Sequence, residues 1–499
     1  MAQIMFLPLD ERPCNYAYPL RIAQQMADIK MIAPPADMLS HKKKPADTQA
    51  LRQFVYDHTW RSDVLILPTE MLLYGGLLPS RRHHLTAADL SGYLHYLRAV
   101  RDAAPRAQIY VSSLIMRTPQ YNSSDEEPDY YAEWGKKIFD YGVQLDKTGQ
   151  TTTEIPADII QDYTTRRQFN REVILALLQL VHERVIDFMV IPQDDSHPYG
   201  FTAMDQRVIY PQINQLRLNN RVLVYPGADE SGYELLARAV NHLHHQTPKF
   251  YPLYSSIHGP LVIPAYEDRS IGESLKSHIL VTGSTLVGTP READVILAYN
   301  TPAKTQQEAA DQDHADISMA RERNLPYFVD TIRRFVNEGR KVSIADSAFA
   351  NGGDRQLLTM LADRPKLLPH LLSYRAWNTN CNTLGSVLSE SVIGREIPNQ
   401  PRLANLVATL SDDVFYQASI RAELTQTLLP EYQLSASDLG KHQNMVAQAA
   451  REGIVTLYRQ TVQRSGLPPL KKAQVSVTFP WQRMFEINCT VQLKEETKL

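Results

Sequence analysis

The run Phe188-Met-Val-Ile-Pro-Gln-Asp-Asp-Ser-His-Pro-Tyr-Gly200 constrains this chain more than any other stretch. Its unbroken apolar half reads as a strand buried on both faces, as in a parallel sheet. The strand ends in two adjacent carboxylates, Asp194 and Asp195, with Gln193 before them and a turn after. Parallel sheets bind ligands at the carboxyl ends of their strands. An acidic doublet there is costly to hold and seldom needed for folding. Several other strands end the same way, so the chain reads as a set of strand tips converging on one face.

The other tips follow in order. Ile4 to Leu9 leads to Asp10, Glu11 and Arg12; Met31-Ile-Ala-Pro-Pro is a short second strand; Asp63 to Thr69 leads to Glu70 and the turn Tyr74-Gly-Gly. A helical pattern over Leu85 to Ala104 precedes the strand from Gln108 to Arg117. The polar segment from Thr118 to Asp129, with Asp125-Glu126-Glu127, is expected to be a mobile lid. A long amphipathic helix over Ala157 to Arg184 feeds the central strand, and Arg221 to Ala228 leads to Asp229 and Glu230. Further strand candidates lie in the runs Phe250 to Ser256, Asp294 to Asn300, Val342 to Asp354 and Leu371 to Asn382. Strands alternating with helices signify βαβ units. The expected fold is therefore α/β, a (β/α)-barrel-like parallel sheet over 1–395 with a subdivision possible near 248. A helical region over 396–499 closes in a β-hairpin, read from the alternation at Ala473 to Phe479 and Phe485 to Leu493. Two α/β domains split near Pro248 are the alternative.

A chain of 499 residues with a net charge of −3 has no broad basic field to grip phosphates, which argues against a nucleic-acid or membrane-surface binder. Lys42-Lys43-Lys44 and Arg81-Arg82-His83-His84 read as solvated loops. Cys14, Cys381 and Cys489 form no disulfide framework or Cys-x-x-Cys site. No signal segment or membrane span is visible, so a cytoplasmic location is expected, with a small-molecule carbohydrate as partner and homo-oligomerisation left open.

The catalytic pair is read as Asp194 and Asp195. Substrate-binding candidates are Asp10, Glu11, Arg12, Glu70, Arg117, Asp229, Glu230, Asp346, Asn351, Trp377 and Asn378. Carboxylates, amides, arginines and aromatics together suit hydroxyl-rich ligands. Two carboxylates flanking a bond are the machinery of glycoside hydrolysis, and crowding raises the pKa of one of them. No cofactor is expected. The competing use is Mg²⁺ or Mn²⁺ held by Asp10, Asp194, Asp195 and Asp229 in a metal-dependent hydrolase or lyase. Zinc is poorly supplied, since no His-x-x-x-His run exists. A non-catalytic carbohydrate binder is the third reading. Asp229 and Glu230 equally suit the start of a helix, Asn351-Gly-Gly-Asp354 a plain turn, and Trp377 a buried core position followed by capping amides.

The motifs Leu7-Pro-Leu-Asp-Glu-Arg-Pro-Cys-Asn15, Pro226-Gly-Ala-Asp-Glu230 and Trp377-Asn-Thr-x-x-Asn-Thr-Leu-Gly385 resemble a bacterial family known only as a domain of unknown function. A strand ending in Asp-Asp is also similar to the catalytic doublet of family 84 glycoside hydrolases, N-acetylhexosaminidases with a (β/α)₈ barrel. That resemblance, confined to the doublet, implies Asp194 as orienter of the substrate's acetamido group and Asp195 as general acid/base. The leading expectation is hydrolysis of a small oligosaccharide or amino-sugar glycoside.

Overall fold

The computed structural model describes residues 1–462 and 465–493. Contacts divide the chain into two compact units. The first comprises Met1–Tyr16, Asp28–Ala239 and Tyr266–Arg269; the second comprises Ala17–Ala27, Val240–Ala265 and the chain from Ser270 onward.

The first unit is built on a parallel sheet of β1 (Ala2–Phe6), β2 (Ile29–Ile32), β3 (Val64–Pro68), β4 (Gln108–Ser112), β5 (Phe188–Gln193) and β6 (Val222–Pro226). Their order is β2-β1-β3-β4-β5-β6. The inner strands β3 and β5 are buried at every position. That is why their sequences run apolar without alternation. Register is set by pairs such as Ile4 with Val64, Leu67 with Val111 and Gln193 with Pro226. The chain passes from β1 to β2 on one side and returns to β3 on the other, so the strand order reverses between β1 and β3. Such a reversal opens a crevice at the carboxyl ends. The expected helix is present as Ala157–His182, which packs Val173, Ile174, Leu177 and Val181 into the core of this unit. A helix not anticipated from the sequence, Tyr131–Thr148, follows the 118–129 segment.

The second unit holds a parallel sheet of β7 (Lys249–Tyr254), β8 (Thr285–Leu286), β9 (Val295–Asn300), β11 (Lys341–Asp346) and β13 (Leu371–Arg375), in the order β13-β11-β9-β7-β8. A two-stranded ribbon pairs β10 (Gln307–Glu308) with β12 (Phe349–Ala350). Helices follow, including Asn399–Thr409 and Gln443–Val462, and the antiparallel pair β14 (Val475–Thr478) and β15 (Asn488–Val491) closes the chain. Val475, Val477 and Phe479 join Val446, Ile454 and Tyr458 in one core, so the alternating residues of the hairpin cover the helices. The α/β class, the parallel strands, the helical C-terminal region and the terminal hairpin are all as expected. No helix among the described residues is long and apolar enough to cross a membrane.

One turn decides where the β3 tip points. After Pro68 the chain makes a π-helical turn, Glu70–Tyr74, closed by Gly75 in the left-handed region at φ 83°. A Cβ on Gly75 would lie 2.9 Å from the Ala46 carbonyl oxygen and from Pro45 Cβ. Both the positive φ and the clash demand glycine. Gly75→Ala is expected to cost about 1–3 kcal/mol in urea unfolding; an unchanged midpoint would contradict this account of the turn.

Candidate active site

Carboxylates and arginines from five strand tips of the first unit meet in two buried clusters. The first joins the β1 and β6 tips. Arg12 donates to Asp10 through Nε (2.9 Å) and Nη2 (2.7 Å), and to Asp229 through Nη1 (3.1 Å) and Nη2. Asn15 donates to both carboxylates, at 2.9 Å to Asp10 and 3.2 Å to Asp229. Burial works against the guanidinium's charge, but Asp10 and Asp229 outweigh it and hold Arg12 firmly protonated. Burial pushes the Asp229 carboxyl up, with Arg12 opposing and Asp10 adding to the rise.

The second cluster is a cage. Arg81, from the turn after β3, donates to Asp194 (2.6 Å), Glu127 (3.1 Å) and Glu126 (3.2 Å). Arg117, past the end of β4, donates to Asp195 (3.0 Å), Glu127 (2.8 Å) and Glu126 (2.8 Å). Each member of the acidic doublet thus has its own arginine, and the two arginines share a pair of glutamates. Asp195 adopts the left-handed conformation at φ 42°. That conformation is uncommon outside glycine, with Asn and Asp enriched in it, and it re-aims the side chain at the strand tip. Adjacent residues of a strand face opposite ways; the reversal at Asp195 is what lets both carboxylates serve one cage. Burial lifts the Asp195 carboxyl to about 6, with Arg117 pulling down and Asp194 pushing up.

Glu70 lies beside this cage and is 2% exposed. Its Oε1 accepts the Leu114 backbone N–H at 2.8 Å. Burial raises the carboxyl to about 7 against the pull of backbone donors, and Asp194 adds to the rise. Its neutral form is therefore favoured by folding, and that stability is lost as pH rises from about 4.5 through 7. Glu70→Gln, which carries no charge at any pH, should be more stable than the native chain above neutrality by roughly 2–3 kcal/mol. The advantage should shrink in acid. Equal pH dependence of unfolding in the two proteins would refute this.

Glu11 and Glu230 serve the backbone. Glu11 accepts from Ser40 Oγ and Lys42 N, both at 2.6 Å, fixing the loop before the helix Thr48–Thr59. Glu230 accepts from Ala228 N at 3.2 Å at the start of the helix Ser231–Leu243. Asp346, Asn351, Trp377 and Asn378 all lie in the second unit. Asp346 accepts from Asn300 (2.8 Å), Asp354 N (2.7 Å) and the Tyr374 hydroxyl, with burial lifting it to about 6. Asn351 and Asn378 are both left-handed, at φ 60° and 61°, and the Asn351 N–H donates to the Asn378 carbonyl at 2.8 Å. Trp377 is 5% exposed beside Phe485, which leaves its ring no open face for a sugar.

The site contains residues that sequence reasoning missed. Arg81 is buried and central, a correction to its reading as part of a solvated loop, because three carboxylates surround the place its guanidinium reaches. Glu126 and Glu127 lie in the expected lid, but their ion pairs pin that segment to the cage. Arg269 donates to Gln193 Oε1 at 2.7 Å and to the Val224 carbonyl at 3.3 Å. In the second unit, fully buried Arg375 faces Glu390 at 3.2 Å and, from the expected helical region, Asp413 at 3.0 Å. The position of Arg81 soon after a strand tip and its Gly-Gly turn was the only available signal. The four carboxylates proposed as Mg²⁺ or Mn²⁺ ligands, Asp10, Asp194, Asp195 and Asp229, each face a guanidinium, so arginine supplies the positive charge that a metal would bring.

A family described as a protein of unknown function, DUF4127, matches residues 4–490. No curated protein matches the chain. Among solved structures, the chain is similar to the carboxyl transferase domain of Rhizobium etli pyruvate carboxylase at 7% identity and a TM-score of 0.20, covering 95% of this chain and 61% of that one. An endo-fucoidan hydrolase of glycoside hydrolase family 107 follows at 12% identity and a TM-score of 0.18, covering 57% of this chain and 48% of that one. The chain thus spans about three fifths of the first of these. Neither likeness is close enough to bear on fold or function.

Proposed function

We propose that this chain, which belongs to the DUF4127 family of proteins of unknown function, is a glycoside hydrolase of small, hydroxyl-rich substrates, working through Asp194 and Asp195. One observation carries the reading: Asp195, held left-handed at the β5 tip with its side chain 23% exposed and its carboxyl lifted to about 6, stands beside a second carboxylate. A carboxyl that keeps its proton in mildly acid solution can give that proton to a glycosidic oxygen and reclaim it from water. Asp194, held on one side by Arg81, is placed to orient the substrate. The resemblance to family 84 enzymes extends this to a substrate whose own acetamido group attacks the anomeric carbon, with Asp194 as orienter and Asp195 as acid/base. Asp10, Arg12, Asp229 and Glu70 line the neighbouring strand tips.

Purified protein should cleave at least one nitrophenyl glycoside, acetamido sugars included, and EDTA should leave the rate unchanged because Arg81 and Arg117 carry the positive charge. Asp195→Asn is expected to lower kcat by about 10²–10⁴-fold. Native turnover should fall as pH rises above about 6, where Asp195 loses its proton. Full turnover in both Asp194→Asn and Asp195→Asn would overturn the assignment, and abolition by EDTA would replace it with a metal-dependent reaction.

A further inference from the structure

Glu70 has one carboxylate oxygen that nothing among the described residues satisfies. Oε1 holds the Leu114 N–H, but Oε2 is buried with no hydrogen-bond partner among the described residues. A buried polar atom of this kind costs free energy unless something pairs with it. Glu70 lines a small cavity together with Ser80, Arg81, Asn170 and Asp194. Its volume of about 10 Å³ matches a single water and nothing larger. Leu77, Leu114 and Met116 complete the lining, and the polar groups give a water the partners it requires. Ser80 Oγ already donates to the Leu77 carbonyl at 2.7 Å, which leaves its lone pairs to accept. Asn170 is fixed by its donation to the Ser80 carbonyl at 3.0 Å.

We propose that one buried water bridges Glu70 Oε2 and the Asp194 carboxylate, and that Glu70 is a proton store that exchanges with Asp194 through this water. In the forward step the Glu70 O–H bond breaks as its proton joins the water oxygen. An O–H bond of that water breaks in turn as its proton joins an Asp194 oxygen. Two O–H bonds form, two break, and no electrons change hands. Among the described residues Arg81 is the one cation lining the cavity, and it is engaged by Asp194, Glu126 and Glu127. The other titratable groups near Glu70 are Tyr74 and Tyr93, whose hydroxyls burial pushes up and keeps neutral. Burial also favours the protonated form of Glu70 itself. Glu70 is thus a positioning residue, holding a proton beside Asp194 without touching substrate. The use made of that proton rests on the reading of the cage as catalytic; the water and the proton do not.

The test needs no substrate. Infrared difference spectra of the full chain, titrated from mildly acid to alkaline solution, should show the carbonyl band of a buried protonated carboxyl that disappears with a midpoint near 7. Glu70→Gln should remove the band, and Asp194→Asn should move its midpoint downward, because the neighbouring negative charge is gone. A crystal structure should show one water between the two side chains. A titrating band that survives Glu70→Gln unchanged, a midpoint indifferent to Asp194→Asn, or a dry cavity would overturn the proposal. If Glu70→Gln fails to fold, the midpoint in Asp194→Asn decides alone. Failure of the glycosidase reading would leave the band in place, whereas failure here would leave glycoside cleavage to Asp195.

Discussion

Arg12 is the interaction on which the first unit's site depends. In the sheet order, β1 and β6 are separated by β3, β4 and β5. Laid flat, four strand spacings would hold the two strands roughly 19 Å apart. Arg12 nevertheless grips Asp10 after β1 and Asp229 after β6 with a single guanidinium. A Cβ built on Gly232, at the start of the helix after β6, would lie 3.6 Å from the Phe6 ring of β1. The sheet therefore curls, and brings the β1 and β6 tips together. A buried charge group of this sort is stable only when every partner is present, since desolvation otherwise exceeds the Coulombic gain. Asn15 supplies donors to both carboxylates and completes the set.

Once the tips converge, their charges have to be balanced. In the cage, the four carboxylates of Asp194, Asp195, Glu126 and Glu127 pair with the two guanidinium groups of Arg81 and Arg117. Carboxylates in surplus at low exposure repel one another and favour protonation. Burial lifts the carboxyls of Asp195 and Glu70, and the charge of Asp194 adds to the rise in both. The same surplus pins the segment from Thr118 to Asp129, because its glutamates bridge the two arginines. Structure and chemistry share the same residues here.

Much of this was legible in the sequence, and the reasons are specific. The apolar runs of β3 and β5 are unbroken because both faces are buried, so their ends, and hence Glu70, Asp194 and Asp195, could be placed at strand tips. Arg117 could be found for the same reason. Arg81 could not, because a buried arginine in a loop has the local sequence of an exposed one, and only the distant carboxylates of β5 and the 118–129 segment distinguish it. Asp346 reads as a strand-tip acid, yet its carboxylate is engaged by Asn300, Tyr374 and a backbone N–H within the second unit. Trp377 offers a stacking residue type but no open face. Residue type marks capacity; burial decides its use.

Arg12 acts as a clasp between the β1 and β6 tips, and a double-mutant cycle measures that coupling directly. Arg12→Leu, Asp229→Asn and the double variant would be compared with the native chain by chemical unfolding. The account predicts strong non-additivity, of about 2–3 kcal/mol, because each single change strands a buried partner that the other change relieves. Additive effects, within about 0.5 kcal/mol, would show that Arg12 and Asp229 act independently and that the strand tips are gathered by something else.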